Sequence, residues 1–298
     1  MPQPASLINA RNIADGERFR TGSPAPGQNG IDESIDSKSI DILLNELAVV
    51  LARWNLYVKF LAVKCQYDAP ELKIPQFVVT APLSDKIIRI RIAVESLETF
   101  FFRRSVEKAF QLDEPSTHSG PPTTSVVDDV MFVLRKVLDR AMGTGDVNLI
   151  KTICANTRRI LDLDFAGVIK RRSTMESQRN LAGSGNKADD VGRRERIRAF
   201  VAGLNNLDIA GKSITELTTG YINGNLEGIF PFDDQAEVAK TALSNVGNLK
   251  ERFEGYLHVF PEWKVLMNRR AWRRCFLNWS SLGLKSWSMR FLRASRMS

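Results

Sequence analysis

The sequence predicts an all-α protein, an elongated helical bundle or rod that follows a disordered N-terminal arm. Apolar residues recur every three or four positions over long stretches, and Pro and Gly interrupt those stretches at short breaks. No set of alternating apolar and polar segments is long enough to predict a strand ladder. Steady repeats of the length used by common helical solenoids are also missing, which favours a bundle or rod.

The N-terminal arm is predicted over residues 1–35. This segment is rich in Gly, Pro, Ser and Asp and shows no sustained apolar spacing, a composition typical of disordered chain. The pattern changes at Asp36, a candidate N-cap, and apolar residues then recur at helical spacing as far as Leu61. One long helix over 36–66 is therefore predicted, and Pro70 marks the break after it.

A connector and a second helix follow. Residues 77–80 (FVVT) are rich in β-branched side chains, but they are too isolated to find a partner strand and are interpreted as an extended linker. The second helix is predicted over 83–112. Its three consecutive phenylalanines, residues 100–102, predict burial on several sides, so this helix is expected to lie centrally. We expect these side chains in the interior, with a partner interface as the alternative.

A third helix is predicted to begin at Ser125, after a loop over 114–124 that is rich in Pro, Ser and Thr. Ser125 and Asp128 have the S-x-x-D spacing of a capping box, so the acids here are interpreted as capping residues rather than as a catalytic pair. Gly143 and Gly145 are expected to end this helix.

Three further helices complete the predicted bundle. The fourth carries apolar residues over 149–169 and ends at a polar insert over about 171–192. The fifth is predicted over about 194–222, and the sixth over about 233–257.

The scarcity of reactive side chains predicts a protein that is not an enzyme, with no catalytic residues, no cofactor site and no metal site. The sequence has two histidines, His118 and His258, and three cysteines that lie far apart, Cys65, Cys154 and Cys275. Residues 183–187 lack the spacing of a phosphate-binding loop and are interpreted as a flexible linker. The sequence shows neither a signal peptide nor an apolar run long enough to cross a bilayer, so a cytosolic body is expected.

The net charge is concentrated at the C-terminus. The chain has 42 basic and 34 acidic residues and a formal charge of +8. Residues 259–298 hold nine of the basic residues and one of the acids, which leaves 33 of each sign in residues 1–258. The main body is therefore balanced, and no nucleic-acid partner is predicted from its net charge.

Five blocks, taken in order, carry a family resemblance. They are ARWNLYVKFLAVKC (52–65), FFFRRSVEKAFQLDE (100–114), SVVDDVMFVLRKVLDRA (125–141) and two shorter blocks, LNNLDIA (204–210) and FPFD (230–233). Together they resemble the family of subunit four of the conserved oligomeric Golgi (COG) complex, in particular its fungal forms. The resemblance covers about residues 36–257 and corresponds to a middle portion of the family.

The resemblance implies a helical-rod subunit of a multisubunit tethering complex, peripheral on the cytosolic face of Golgi membranes. Such a subunit helps to capture vesicles in retrograde intra-Golgi transport without catalysis. The implied partners are the other COG subunits, together with SNARE and Sec1/Munc18-type fusion proteins. The fusion proteins are expected to bind through regions that this chain lacks, upstream and downstream of the matched portion.

The tail over 258–298 departs from the family pattern, and three interpretations of it are open. Four of the five tryptophans lie there among the basic residues. An amphipathic helix of this kind can lie on an anionic membrane or bind calmodulin, and Arg interleaved with aromatics can hold nucleic acid. The third interpretation, which we favour, is non-native sequence from a shifted frame or retained intron. If the tail is native, the alternative function is a free-standing peripheral membrane protein anchored by residues 262–296.

Overall fold

The computed structural model describes residues 29–65, 73–116, 122–182, 190–224, 226–230, 232 and 234–258. The chain divides into two compact units, Met1–Lys38 and Ser39–Ser298. In the first unit the described residues form the beginning of a helix. The second unit contains a helical bundle with one large apolar core.

The described part of the chain contains ten α-helices. They are α1 (Asn29–Cys65), α2 (Gln76–Val79), α3 (Pro82–Gln111), α4 (Val126–Thr144), α5 (Val147–Ile160), α6 (Gly167–Ala182), α7 (Asp190–Ile222), α8 (Leu226–Ile229), α9 (Gln235–Gly247) and α10 (Leu249–His258). A π-helical segment, Leu161–Ala166, joins α5 to α6. Among these residues the sole β-type pairing is a single bridge between Pro115 and Thr124. The predicted all-α bundle is confirmed.

Helix α7 lies at the centre of one side of the bundle and packs against α6, α9 and α10. On the other side α5 packs against α3 and α9, and α3 packs against α4. Aromatic side chains join the two sides: the ring of Phe165 lies 5.7 Å from that of Phe110 and 6.3 Å from that of Phe253. The π-helical segment is thereby fixed to both α3 and α10 through apolar contact.

The three consecutive phenylalanines of α3 do not share one environment. Phe101 and Phe102 are buried, as predicted, whereas the side chain of Phe100 is 52% exposed. Successive residues of a helix point about 100° apart, so three in a row face the core together only when the helix is covered on most sides. Neighbouring helices cover α3 on two sides, so one of the three phenylalanines stays exposed.

Helices α1 and α2 differ from their predictions at their boundaries. Helix α1 begins at Asn29, seven residues before the predicted start, and Ile31 and Ile35 extend its apolar spacing by one turn. The predicted extended linker over 77–80 is wrong, because Gln76–Val79 forms the helical turn α2. Val78 is buried there, and its carbonyl accepts a hydrogen bond from the hydroxyl of Ser84.

The predicted capping box at Ser125 is also wrong. The side chain of Ser125 makes no capping hydrogen bond to α4 and accepts one from the backbone N–H of Glu114 instead. The carboxylate of Asp113 accepts a hydrogen bond from the N–H of Val126 at 3.2 Å. A residue from the start of the preceding loop thus caps α4, whose other end is closed by Gly145 in a left-handed conformation, with φ of 64°.

The loop before α4 is held by two asparagines of α7. The side-chain amide of Asn205 donates to the carbonyl of Pro122 at 2.7 Å. Asn206 donates to the hydroxyl of Thr124 at 2.8 Å and accepts from its N–H at 3.2 Å. Both asparagines are buried, so these bonds satisfy polar groups that would otherwise be costly in the core.

The remaining predicted helices are present, but two have different boundaries. The fourth passes through the π-helical segment into α6 and reaches Ala182, so the first half of the predicted insert at 171–192 is helical. The sixth is divided into α9 and α10 at Asn248. A Cβ at Gly247 would lie 2.8 Å from the hydroxyl of Thr218 on α7, so a larger residue there would require the Thr218 side chain to move.

Four predictions lie outside the described residues. They concern most of the predicted arm over 1–35, the loop histidine His118, the linker over 183–187 and the basic, tryptophan-rich tail over 259–298.

Candidate interaction surface

Helix α1 contacts the bundle along a narrow stripe. Leu44, Leu51, Val58 and Ala62 are buried and lie at intervals of seven, seven and four residues, on one face of the helix. Asn55, between them, donates its amide N–H to the carbonyl of Thr144 at 2.8 Å. Half-buried residues flank this stripe, and the opposite side of α1 stays exposed.

A cluster of charged side chains ties the first turns of this stripe to α3 and α4. The guanidinium of Arg140 donates to both oxygens of Glu98, at 2.6 and 2.9 Å, and to Asp41 at 2.7 Å. Lys136 donates to the second oxygen of Asp41 at 2.6 Å. The guanidinium also lies 5.3 Å from the centre of the Phe101 ring. Arg140 therefore joins three helices through charge-assisted bonds.

The electrostatics of this cluster depend on burial. The side chain of Glu98 is 3% exposed, and that burial raises the pKa of its carboxyl group, although Arg140 opposes the change. Partial burial also acts to raise the pKa of Asp41, but hydrogen bonds from Lys136 and Arg140 outweigh it and lower that pKa. The groups with shifted pKa values face one another rather than an open cavity. We therefore interpret the cluster as structural rather than catalytic.

The rest of α1 exposes a second apolar face. Leu43, Val50 and Tyr57 are 46%, 42% and 50% exposed and alternate with the half-buried Leu47, Trp54 and Leu61. Their 4-3-4-3-4 spacing is that of a coiled-coil seam. A further set widens this face: Ile42, Val49, Leu56, Phe60 and Val63 are all exposed. We call these eleven residues the α1 face.

The α1 face continues into a groove. A cavity of about 480 Å³ lies between α1, the segment that contains α2, the start of α3, the α4–α5 turn and α8. Apolar side chains that line it include Trp54, Ile74, Val79, Ile88 and Ile229. An apolar helix surface that continues into a groove of this size is typical of a site that takes a partner segment.

Sequence reasoning identified only part of this surface. It identified the residues of one broad stripe on α1 but did not separate the positions that are buried from those that are exposed. The signal was present, because Ile42, Val49, Leu56 and Val63 recur every seven residues on the side opposite Leu44 and Leu51. A helix that is apolar around its whole circumference is expected to be covered on more than one side.

No site for catalysis, a cofactor or a metal was predicted. Asp128 and Asp129 lie exposed in the first turn of α4, and His258 is exposed at the end of α10. Within the residues that the structure describes, no group of His, Cys, Asp and Glu side chains is arranged to hold a metal ion. Over the same residues, no helix combines the length and hydropathy required for a membrane span.

Comparison with known proteins places these features in a family. The family model described as COG4 transport protein, middle alpha-helical bundle, matches residues 8–173, which is more than half of the chain. No solved structure was found that matches the chain significantly.

Similar curated proteins carry the name Conserved oligomeric Golgi complex subunit 4. The protein of Drosophila melanogaster is 27% identical over 232 residues, which cover 70% of this chain and 29% of that protein. For Arabidopsis thaliana the identity is 24% over 239 residues (77% and 31%), and for Schizosaccharomyces pombe 20% over 241 residues (74% and 32%). The chain therefore spans about three tenths of the length of these relatives, and the similarity extends across animals, plants and fungi.

Proposed function

Since the chain belongs to the COG4 transport protein family, we propose that it acts as a non-catalytic subunit of the conserved oligomeric Golgi complex. In this role it contributes to vesicle tethering in retrograde intra-Golgi transport. The observation that carries the proposal is the uncovered α1 face, because a subunit that acts by assembly requires a surface for its neighbours.

The occupant of the α1 face is an amphipathic helix of another subunit of the complex. Its chemistry follows from the seam that it must match, in which Leu43, Val50 and Tyr57 alternate with half-buried apolar residues at coiled-coil spacing. The groove beside Trp54 and Ile88 gives a large apolar side chain of that helix a place to insert.

The other partners and the location are part of the same proposal. The chain works at the cytosolic face of the Golgi as a peripheral protein, with the other COG subunits as its direct partners. SNARE and Sec1/Munc18-type proteins bind the assembled complex. The alternative of a free-standing membrane protein anchored by residues 262–296 is not supported, because the similar proteins carry the name of a complex subunit.

Affinity purification tests the proposal. The tagged chain, expressed in cells with the other subunits, is expected to recover them, and the double variant Val50→Glu/Tyr57→Glu is expected to lose them. Both positions are exposed on the α1 face, so the variant should retain its helical content and melting temperature. The matched control is Leu112→Glu/Phe132→Glu, which alters residues that are 62% and 70% exposed on other elements and should retain binding.

The possible outcomes separate the function from the surface. Recovery of no other subunit by the unaltered chain would contradict the proposed function. Equal loss in both double variants would contradict the assignment of the α1 face. Light scattering on the purified chain provides a further check. If the chain is a dimer that dissociates in Val50→Glu/Tyr57→Glu but not in the control variant, the occupant is a second copy of this chain and not another subunit.

A further inference from the structure

A second groove lies away from the α1 face and is strongly basic. It has a volume of about 390 Å³ and is formed by α5, the π-helical segment, α9 and α10. Four cations line it, Lys151, Arg158, Arg159 and Arg252, against a single acid, Asp162. The balanced charge of residues 1–258 conceals this local excess.

Three of the four cations have no ion-pair partner among the residues that the structure describes. Asp162 is already engaged, because it pairs with Arg252 at 2.7 Å and accepts a hydrogen bond from the hydroxyl of Tyr256 at 3.0 Å. Within the described part of the chain, Lys151, Arg158 and Arg159 form no ion pair. Gathering three free cations around one concave surface raises the local potential, which an anionic ligand would relieve.

The geometry of the groove selects the kind of anion. Lys151 and Arg158 are two turns apart on one face of α5, about 10 Å along the helix axis. The small side chains of Ala155 and Ala242 and the polar Asn245 also line the groove. All four cations are exposed, so they lie at the rim and leave room for a compact ligand between them.

The π-helical segment gives an independent indication that this region is a site. Such segments are rare and occur frequently at functional sites. Here the segment lies at one end of the groove, where its wider turn keeps Leu161 and Phe165 in the core while Asp162 faces Arg252 and Tyr256. Asp162 thus holds Arg252 at the rim of the groove.

We infer that this groove binds a compact ligand that carries more than one phosphate group. The volume lies within the range of small-molecule sites. Three free cations in that space require a high density of negative charge. A phosphate supplies about −1.5 to −2, whereas a carboxylate supplies one unit. The planar guanidinium groups of Arg158 and Arg159 also match phosphate oxygens bidentately.

Two sources of this chemistry are distinguished by experiment: a free phosphorylated solute and the head group of a phosphorylated lipid. Calorimetry with inositol trisphosphate measures the first. Flotation with phosphatidylcholine vesicles that contain a phosphatidylinositol phosphate measures the second, with phosphatidylserine vesicles as the reference for non-specific attraction. The unaltered full chain is expected to bind in at least one assay, more weakly at high salt.

The variant Arg158→Gln/Arg159→Gln removes two rim cations and is expected to weaken binding roughly tenfold or more, since charge-assisted bonds are lost. The matched control, Lys86→Gln/Arg89→Gln, removes the same charge from exposed positions of α3 outside the groove. It should bind like the unaltered chain. All four positions are exposed, so both variants should have unchanged melting temperatures.

Four results would overturn the inference. They are absence of binding in both assays, equal weakening by the two variants, equal flotation with phosphatidylserine, and binding that neither variant changes. The last result would place the ligand on other cations, such as the nine of residues 259–298. The inference does not depend on the proposed function, because assembly through the α1 face uses none of these residues.

Discussion

At the scale of single residues, Arg140 shows how a buried charge can organise a helical bundle. Its partners Glu98 and Asp41 lie 42 and 99 positions earlier in the chain, so the cluster exists only once three helices are packed. Both carboxylates and a lysine surround it, and its own side chain is 8% exposed. An ion pair this deep stabilises the fold only when every member is present.

We predict that Arg140→Ala lowers the free energy of unfolding by about 3–5 kcal/mol, because it leaves Glu98 charged and unpaired in the core. The control Arg103→Ala breaks an exposed pair with Asp164, at 3.0 Å, and should cost less than about 1 kcal/mol. Urea denaturation measures both. The double variant Glu98→Leu/Arg140→Met should lose less than Arg140→Ala, and similar losses for Arg140→Ala and Arg103→Ala would contradict the prediction.

At the scale of helices, the beginning of α4 separates local pattern from tertiary structure. The S-x-x-D pattern at Ser125 is the local signal for a cap. The N–H of Val126 nevertheless donates to Asp113, which lies thirteen residues earlier in the chain. The single bridge between Pro115 and Thr124 brings the two ends of the loop together and places Asp113 there.

We predict that Asp113→Ala lowers the free energy of unfolding by about 0.5–2 kcal/mol, the usual cost of losing a helix cap. Ser125→Ala should cost less, because the serine accepts only from Glu114 and makes no bond to α4. Urea denaturation gives the two energies, and hydrogen exchange at Val126 should accelerate in Asp113→Ala alone. A larger loss in Ser125→Ala would restore the capping box.

The positions of the helices could be predicted from the sequence, but two of their interruptions could not. Apolar spacing located the helical regions that the six predicted helices cover, since burial of one face imposes a period of 3.6 residues on any helix. It could not locate the division at Asn248, which follows the contact of Gly247 with α7. It also could not locate the π-helical segment, where Phe165 packs between Phe110 and Phe253, because such tertiary contacts leave no periodic signal in the sequence.

At the scale of the whole chain, the two candidate surfaces differ in how far the sequence reveals them. The α1 face could have been found from the seven-residue repeat of its apolar side chains, because that repeat lies within one helix. The basic groove could not, because Arg252 on α10 joins Arg158 on α5 only through the packing of the bundle. The net charge of +8, located in residues 259–298, gives no indication of it.

The α1 face is expected to contribute little to the stability of the free chain. Ile42→Gln/Leu56→Gln alters side chains that are 61% and 67% exposed, so the free energy of unfolding should change by no more than about 0.5 kcal/mol per position. The control Leu51→Ala truncates a fully buried residue of the same helix and should cost about 2–5 kcal/mol. Affinity purification should recover less of the other subunits with the glutamine variant, because apolar area that the partner helix would otherwise bury is removed. A cost for the glutamine variant close to that of Leu51→Ala would mean that the α1 face is already covered within the chain, and assembly would then need another surface.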